Sequence, residues 1–228
     1  MRQYTNERLV KRNGRFGRAL MYTGLGLTIL AAAIVFREPN FILPALIVML
    51  IGGFFSQIGT ALVNRFGRDP RMDQIIDASL KGLDDNYATF HYLLGTDHAL
   101  VTPAGIFAII PRWEKGQITY KDGDWFHKKP KGRISIRNRE RALRGLEKEA
   151  LQERRSLERS LEKNLKSSED LNIQPMLVFI AEDADLNVDD APVLATHRKK
   201  IKGTVRNLER GKSLDEEDIK RLATSAHK

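Results

Sequence analysis

The chain has 228 residues, no cysteine, and 38 Lys and Arg against 29 Asp and Glu, which gives a net charge of +9 and a sequence pI near 9.8. Absence of cysteine excludes a disulfide framework, a thiolate nucleophile and a Cys-ligated zinc, and is consistent with a reducing cytosolic compartment. A mean hydropathy of −0.37 averages an apolar N-terminal third with a very polar remainder.

Residues 1–18 are a basic segment carrying Arg2, Arg8, Lys11, Arg12, Arg15 and Arg18. Ala19 to Phe36 and Phe41 to Val63 follow as apolar runs without a charge, and a helix crossing the hydrocarbon core needs about 20 apolar residues. Only Arg37-Glu38-Pro39-Asn40 separates them, so residues 19–64 are expected to form a tight transmembrane hairpin in contact with membrane lipid. Arg65, Arg68 and Arg71 mark residues 65–71 as a basic juxtamembrane linker. By the positive-inside rule both termini are cytoplasmic, at the inner (plasma) membrane. A cleaved signal peptide is disfavoured, because no small-x-small site precedes Arg37 and a second apolar run follows at once. Gly24, Gly26, Gly52, Gly53 and Gly59 let helices approach closely; without a G-x-x-x-G spacing in either run, they are expected to serve packing within the hairpin.

Residues 72–228 read as one cytoplasmic α/β domain. Asp69-Pro70 is a candidate helix start, and Met72, Ile75, Ile76, Leu80 and Leu83 recur at intervals of three and four, the period of an amphipathic helix. Tyr87 to Leu94 reads as a strand. Ala99 to Thr102 and Ile106 to Ile110 flank Pro103 and Gly105, which supply hairpin turn chemistry. A second hairpin spans Gln117 to His127 around Asp122-Gly123. After the basic Lys128 to Arg133 come an Ile134/Ile136 alternation and a long helix from about Arg139 to Lys166, with an apolar stripe at Leu143, Leu146, Ala150, Leu157, Leu161 and Leu165. The stripe skips a turn around Glu153 and Arg154, which favours packing on a sheet over a coiled coil. Gln174 to Ala181 has the continuous apolar pattern of a strand buried on both faces. A short strand at Val193-Leu194, a basic helix from about His197 to Leu208, and a last helix opened by a Ser213-Leu-Asp-Glu216 capping box complete the domain.

An Asp before a strand (Asp97-His98-Ala99-Leu100-Val101), a Pro-x-Gly-Ile-Phe turn, then Gly116-x-Ile118 and Trp125 together resemble the nuclease-related domain (NERD) family, a branch of the restriction-endonuclease-like superfamily. The resemblance implies a mixed central sheet flanked by helices. It also implies a magnesium-dependent phosphodiesterase site, built from the Asp and from a Glu-x-Lys at the end of the second strand. Asp97 matches the first carboxylate, and Asp73 matches an acidic residue near the start of the opening helix. Ile110 falls at the Glu place, Pro111 between, and Arg112 at the Lys place. Downstream, Arg139 follows Asn138 and Ala142 occupies the place of a Gln.

Magnesium wants hard oxygen ligands, and phosphodiester cleavage needs a base or cation beside the attacking water. Ile110 offers no oxygen, and Arg112 stays charged, so it can hold a phosphate but not act as a general base. On an extended strand residues 110, 112 and 114 face one way, so Glu114 is a candidate for the missing carboxylate; against this, Pro111 removes a backbone donor. The candidate catalytic set is therefore Asp97, Glu114 and Arg112, with Asp97 and Asp73 as candidate metal ligands. Arg112, Lys115, Lys128 and Lys129 are candidate contacts for phosphate or a partner.

His91, His98 and His127 lack the spacing of a metal motif. Trp113, Trp125 and Phe126 suit either packing or base stacking. The basic segments suit a solvated face, anionic lipid or nucleic acid. Three functional expectations follow: a catalytically inactive pseudo-nuclease acting as a binding or scaffold module, an active membrane-anchored nuclease using Glu114 with magnesium, and an accessory subunit docking a membrane-protein partner.

Overall fold

The structure, a computed structural model, describes residues 1–130, 140–165 and 171–225. The Ile134/Ile136 alternation, Asn138, the expected helix start at Arg139 and its expected end at Lys166 lie outside these residues. The chain divides into two compact units, one made of residues 7–72 and the other of residues 1–6 together with 73–228.

The first unit is a helical hairpin. Helix α1 (Glu7–Arg37) takes in most of the basic segment as well as the first apolar run, and α2 (Ile42–Leu62) covers most of the second. A single 3-10 turn over Pro39–Phe41 joins them. The buried small residues Gly17, Gly24 and Ala31 recur every seven positions on α1, and Ala45, Gly52 and Gly59 do the same on α2. A seven-residue repeat keeps one seam facing the partner helix. Along that seam a Cβ on Gly52 would stand 2.7 Å from the Gly24 carbonyl oxygen, whereas Gly26 and Gly53 face open space. Both helical stretches are long and apolar enough to cross a membrane, and only 11% of either apolar window is buried. Leu25, Ile29, Leu43, Leu50 and Phe54 are among the large apolar side chains left exposed. Where the ends of the hairpin meet, Arg71 Nη2 donates to Glu7 Oε1 at 3.0 Å.

The second unit is a mixed α/β fold. Its larger sheet takes strands β1 (Arg2–Thr5), β2 (Ala88–His91), β3 (His98–Thr102), β4 (Gly105–Arg112), β8 (Ile173–Phe179) and β10 (Leu194–His197), in the order β1-β2-β3-β4-β8-β10. β2, β3 and β4 form an antiparallel meander; β1 joins β2, β8 joins β4 and β10 joins β8 in parallel. A smaller sheet pairs β7 (Arg141–Ala142), β6 (Asp124–Lys128), β5 (Gly116–Lys121) and β9 (Ala184–Asn187) in that order.

Helix α4 (Leu146–Asn164) lays Leu157 and Leu161 on one face of the large sheet against Phe90, Val101 and Ile106, joined by Ile219 and Leu222 of α6 (Glu216–Ser225). Further along the same helix, Leu146 and Ala150 pack with Ile110, Leu177 and Phe179. The other face of the sheet meets α3 (Met72–Leu80), whose Asp77 bonds Thr89 and His91 of β2. Near it lies α5 (Ile201–Asn207), where Thr196 and Thr204 share a hydrogen bond of 2.9 Å.

Several boundaries differ from the sequence reading. Residues 2–5 are an edge strand of the α/β unit rather than part of a basic arm. Pro70 precedes α3 instead of opening it. The Tyr87–Leu94 strand contracts to β2, because Tyr92 adopts a positive φ of 59°. Residues 141–142 are a strand, and the long helix starts only after Gly145, at φ 85°. The last helix is capped by Asp215, whose Oδ1 accepts from the Asp218 amide at 2.8 Å; Ser213 Oγ is buried without a hydrogen-bond partner among the described residues.

Candidate functional site

Strand β4 carries the candidate residues to its C-terminal end. Pro111 does not interrupt it: Ile110, Pro111 and Arg112 stay in register with Leu177, Val178 and Phe179, and the Arg112 carbonyl accepts from the Ile180 amide at 2.8 Å. A parallel neighbour on one side does not require the Pro111 N–H, so the missing donor is tolerated. The strand ends after Arg112, and Trp113 to Lys115 form a loop to Gly116, whose φ of 91° turns the chain into β5.

Arg112, the last residue of β4, and Glu114, in the loop that follows, are ion-paired. The guanidinium donates from Nε to Glu114 Oε2 at 3.2 Å and from Nη2 to Glu114 Oε1 at 2.5 Å. Its remaining Nη1 donates to Glu149 Oε2 of α4 at 2.8 Å. Burial opposes ionisation of Glu114, but the hydrogen bonds and charge of Arg112 outweigh it and hold the carboxyl below the ordinary glutamate range. For Arg112, burial is likewise outweighed, and the two glutamates raise its affinity for the proton. A phosphate at Arg112 would have to displace two carboxylates.

Asp97 ends the bend before β3, where its carbonyl accepts from the Tyr92 amide at 2.8 Å. The same bend is held by α4: Ser156 Oγ donates to the Gly95 carbonyl at 2.6 Å, and Thr96 Oγ1 donates to Glu153 Oε2 at 2.6 Å. Glu149 and Glu153 thus stand one turn apart on α4, one on the end of β4 and the other on the bend that carries Asp97. Continuing the β3–β4 register by two residues sets Asp97 opposite Ile110, and Ile110 is buried in the apolar core. Asp73 is also buried, one turn before Asp77 on α3.

The donor set does not fit magnesium, since one of its carboxylates is already bonded twice by a guanidinium. Among the described residues no group of three or more His, Asp or Glu is gathered to hold a metal ion. His91 and His98 are buried cross-strand partners on the large sheet, whereas His127 lies in β6, where its Nε2–H donates to the Lys115 carbonyl at 2.7 Å.

Of the remaining candidate cations, Lys115 and Lys129 line one cleft together with Trp113, Glu114, His127 and Pro130. Lys128 is exposed at the end of β6, paired in register with Gln117. Sequence reasoning missed the contacts of Glu149 and Glu153, and it reads Asp77 as a first-turn helix carboxylate rather than as the partner of Thr89 and His91. The signal for Glu153 was the skipped turn in the apolar stripe of α4, a place where a polar group serves a neighbouring loop.

The chain matches no protein-family model, no curated protein and no solved structure.

Proposed function

We propose that this is a membrane-anchored protein whose cytoplasmic α/β unit is a NERD-like, restriction-endonuclease-like module without cleavage chemistry, acting as a binding or scaffold module. The observation that carries this reading is the Arg112 cluster: Glu114, the candidate for the missing ligand, is bound at both oxygens by the cation that would otherwise face a phosphate. Ile110, at the place of the family's Glu, belongs to the core. A helix, a three-stranded meander, a long helix and a strand parallel to β4 support the kinship of fold.

Anchoring rests on the two exposed apolar helices. β1 precedes the hairpin and α3 follows it, yet both belong to the one α/β unit. Two crossings return the chain to the side it left, and the basic residues before and after the apolar runs make that side cytoplasmic.

The deciding experiment is cleavage of labelled single- and double-stranded nucleic acid by the full-length protein in detergent, with magnesium or manganese, beside Asp97→Ala and Glu114→Gln. No metal-dependent cutting is expected from any of the three. Cutting by the native chain that disappears in both variants would establish a relocated active site instead.

A further inference from the structure

Helix α1 is longer than a membrane crossing requires. Its charge-free stretch, Ala19 to Phe36, rises about 27 Å, which matches a hydrocarbon core of about 30 Å. The same helix extends about 18 Å beyond that stretch, from Arg18 back to Glu7, without a break. On this extension Arg8, Lys11, Arg12, Arg15 and Arg18 are all exposed. At about 100° per residue they fall within about 120° of the circumference, on the side opposite Gly17 and Gly24 of the seam with α2. Arg12 bonds its neighbour Asn13 at 3.3 Å, and the other four have no hydrogen bond or ion pair among the described residues. Glu7, the one acid of the helix, is held by Arg71.

A solvated helix face mixes both signs, as α4 does. The α1 stripe carries one. Orienting the hairpin needs only a count of cations near its ends, not their confinement to one face. A helix that lies flat on a membrane would bring such a stripe into one plane, whereas here the helix continues into the apolar run and the cations stand at successive heights. Headgroups occupy about 6 Å outside the hydrocarbon core. Arg18 stands at the boundary and Arg15 about 4.5 Å beyond it, both inside that layer. Arg12 and Lys11 stand about 9 and 11 Å beyond the boundary and Arg8 about 15 Å, outside the headgroups but within about a Debye length of them. Tyr22, 63% exposed, lies one turn inside the boundary on the same face, a depth at which tyrosine keeps its ring in lipid and its hydroxyl at the headgroups.

We infer that this face of α1 is a binding site for anionic phospholipid. Arg15 and Arg18 hold the lipid phosphate, Tyr22 lies along the lipid just below it, and Arg8, Lys11 and Arg12 draw negative lipid toward the site without touching it. A guanidinium offers paired N–H donors that match a phosphate. The outer cations act through the surface potential that only anionic lipid creates. This rests on the reading of the hairpin as a membrane anchor and names the lipid class that the anchor selects.

The test uses full-length protein reconstituted in phosphatidylcholine bilayers that carry a trace of spin-labelled phosphatidylglycerol or spin-labelled phosphatidylcholine. Electron paramagnetic resonance reads the fraction of each label immobilised against the protein. Measurements at about 0.1 M and about 1 M salt shorten the Debye length from about 10 to about 3 Å. Phosphatidylglycerol is expected to be preferred about fivefold or more at low salt, the factor for one contacting cation. Arg15→Gln with Arg18→Gln abolishes the preference, whereas Arg15→Lys with Arg18→Lys, which keeps both charges and the orientation of the hairpin, retains most of it. Arg8→Gln with Lys11→Gln and Arg12→Gln lowers the preference at low salt and leaves its high-salt value unchanged, because their reach is the part that salt screens.

Equal immobilisation of the two lipids by the native chain, or a preference that survives Arg15→Gln with Arg18→Gln, would overturn the inference. So would loss of the preference on adding soluble glycerol phosphate at constant ionic strength, since the arginines would then serve free phosphate rather than lipid. Immobilisation without preference would leave the membrane anchor standing and refute this inference alone. Absence of an immobilised component for both lipids would refute the anchor, and the inference with it.

Discussion

His91 Nδ1 and His98 Nδ1 face each other at 2.9 Å across β2 and β3, both rings buried, so one proton lies between them. His91 Nε2 is 3.0 Å from Asp77 Oδ1, which also accepts from Thr89 Oγ1 at 2.8 Å. A carboxylate oxygen accepts, so His91 carries the Nε2 proton, and in its neutral form it takes the inter-ring bond from His98. Removing one partner of a buried hydrogen bond leaves the other unsatisfied, at about 1–3 kcal/mol, whereas replacing both is cheaper. His91→Leu and His98→Leu are each expected to destabilise by about 2 kcal/mol, and the double variant by at least about 1 kcal/mol less than their sum. Denaturant unfolding of the four proteins measures this coupling, and strictly additive losses would show that the rings do not support each other.

The pair formed by Arg112 and Glu114 predicts a pH-dependent contribution. Glu114 titrates below its ordinary value in the folded chain, so between that value and the unfolded one, about 4.3, the unfolded state holds the extra proton and stability rises with pH. At neutral pH, Glu114→Gln is expected to cost about 1 kcal/mol, a charge-assisted bond discounted for partial exposure. The cost is full above about pH 4.3 and shrinks as pH falls through the folded value. Unfolding curves for both proteins from neutral to acid pH measure it, and a difference that stays constant with pH would place the effect in packing rather than charge.

Both hairpins of the domain are legible in the sequence because turn chemistry is local. Gly105 adopts φ 145°, and Asp122 with Gly123 adopts 53° and 82°, conformations their residue types favour. β1 and β9 are not legible. Arg2–Thr5 and Ala184–Asn187 are short, half polar, and become strands through parallel pairing with β2 and β5, segments remote in the chain. Ser213 and Asp215 both suit an N-cap, and only the position where α6 begins decides between them. In the site, the nearness of Arg112 and Glu114 is legible because they stand two residues apart, although β4 ends at Arg112 and Glu114 lies in the loop after it. Their third partner, Glu149, comes from a helix whose alignment on β4 is set by Leu146 and Ala150 packing against Ile110.

The hairpin seam predicts which glycines matter. A Cβ on Gly24 would collide with the Gly52 carbonyl, and one on Gly59 with the Met21 backbone, while Gly26 and Gly53 meet nothing. In a bilayer, helix association depends on such close packing, since lipid is as apolar as the side chains. Gly24→Val and Gly59→Val are expected to separate α1 from α2, whereas Gly26→Ala and Gly53→Ala leave the pair intact. Disulfide trapping between Cys introduced at Ala31 and Ala45, buried positions on the seam, reads the separation in this cysteine-free chain. Equal trapping in all four variants would mean that the seam does not hold the helices together.

The N-terminal strand predicts that the α/β unit depends on residues that precede the hairpin. Tyr4 stacks on Phe90 with ring centroids 4.9 Å apart, and Phe90 is fully buried. The Met1 ammonium bonds the Leu83 carbonyl at 3.0 Å and Asp85 Oδ1 at 2.9 Å. Loss of β1 uncovers the edge of β2 and part of the core around Phe90. Truncating Tyr4 alone removes one aromatic contact and its burial, about 2–3 kcal/mol. Tyr4→Ala is therefore expected to lower the melting temperature of the full-length protein by several degrees. A fragment of residues 73–228 is expected to melt lower still and to be cleaved by protease near Phe90. Addition of a synthetic peptide of residues 1–6 should restore part of that protection, because β1 pairs through backbone bonds that a separate strand can also make. Full stability of the fragment without the peptide would show that the remaining sheet needs no sixth strand.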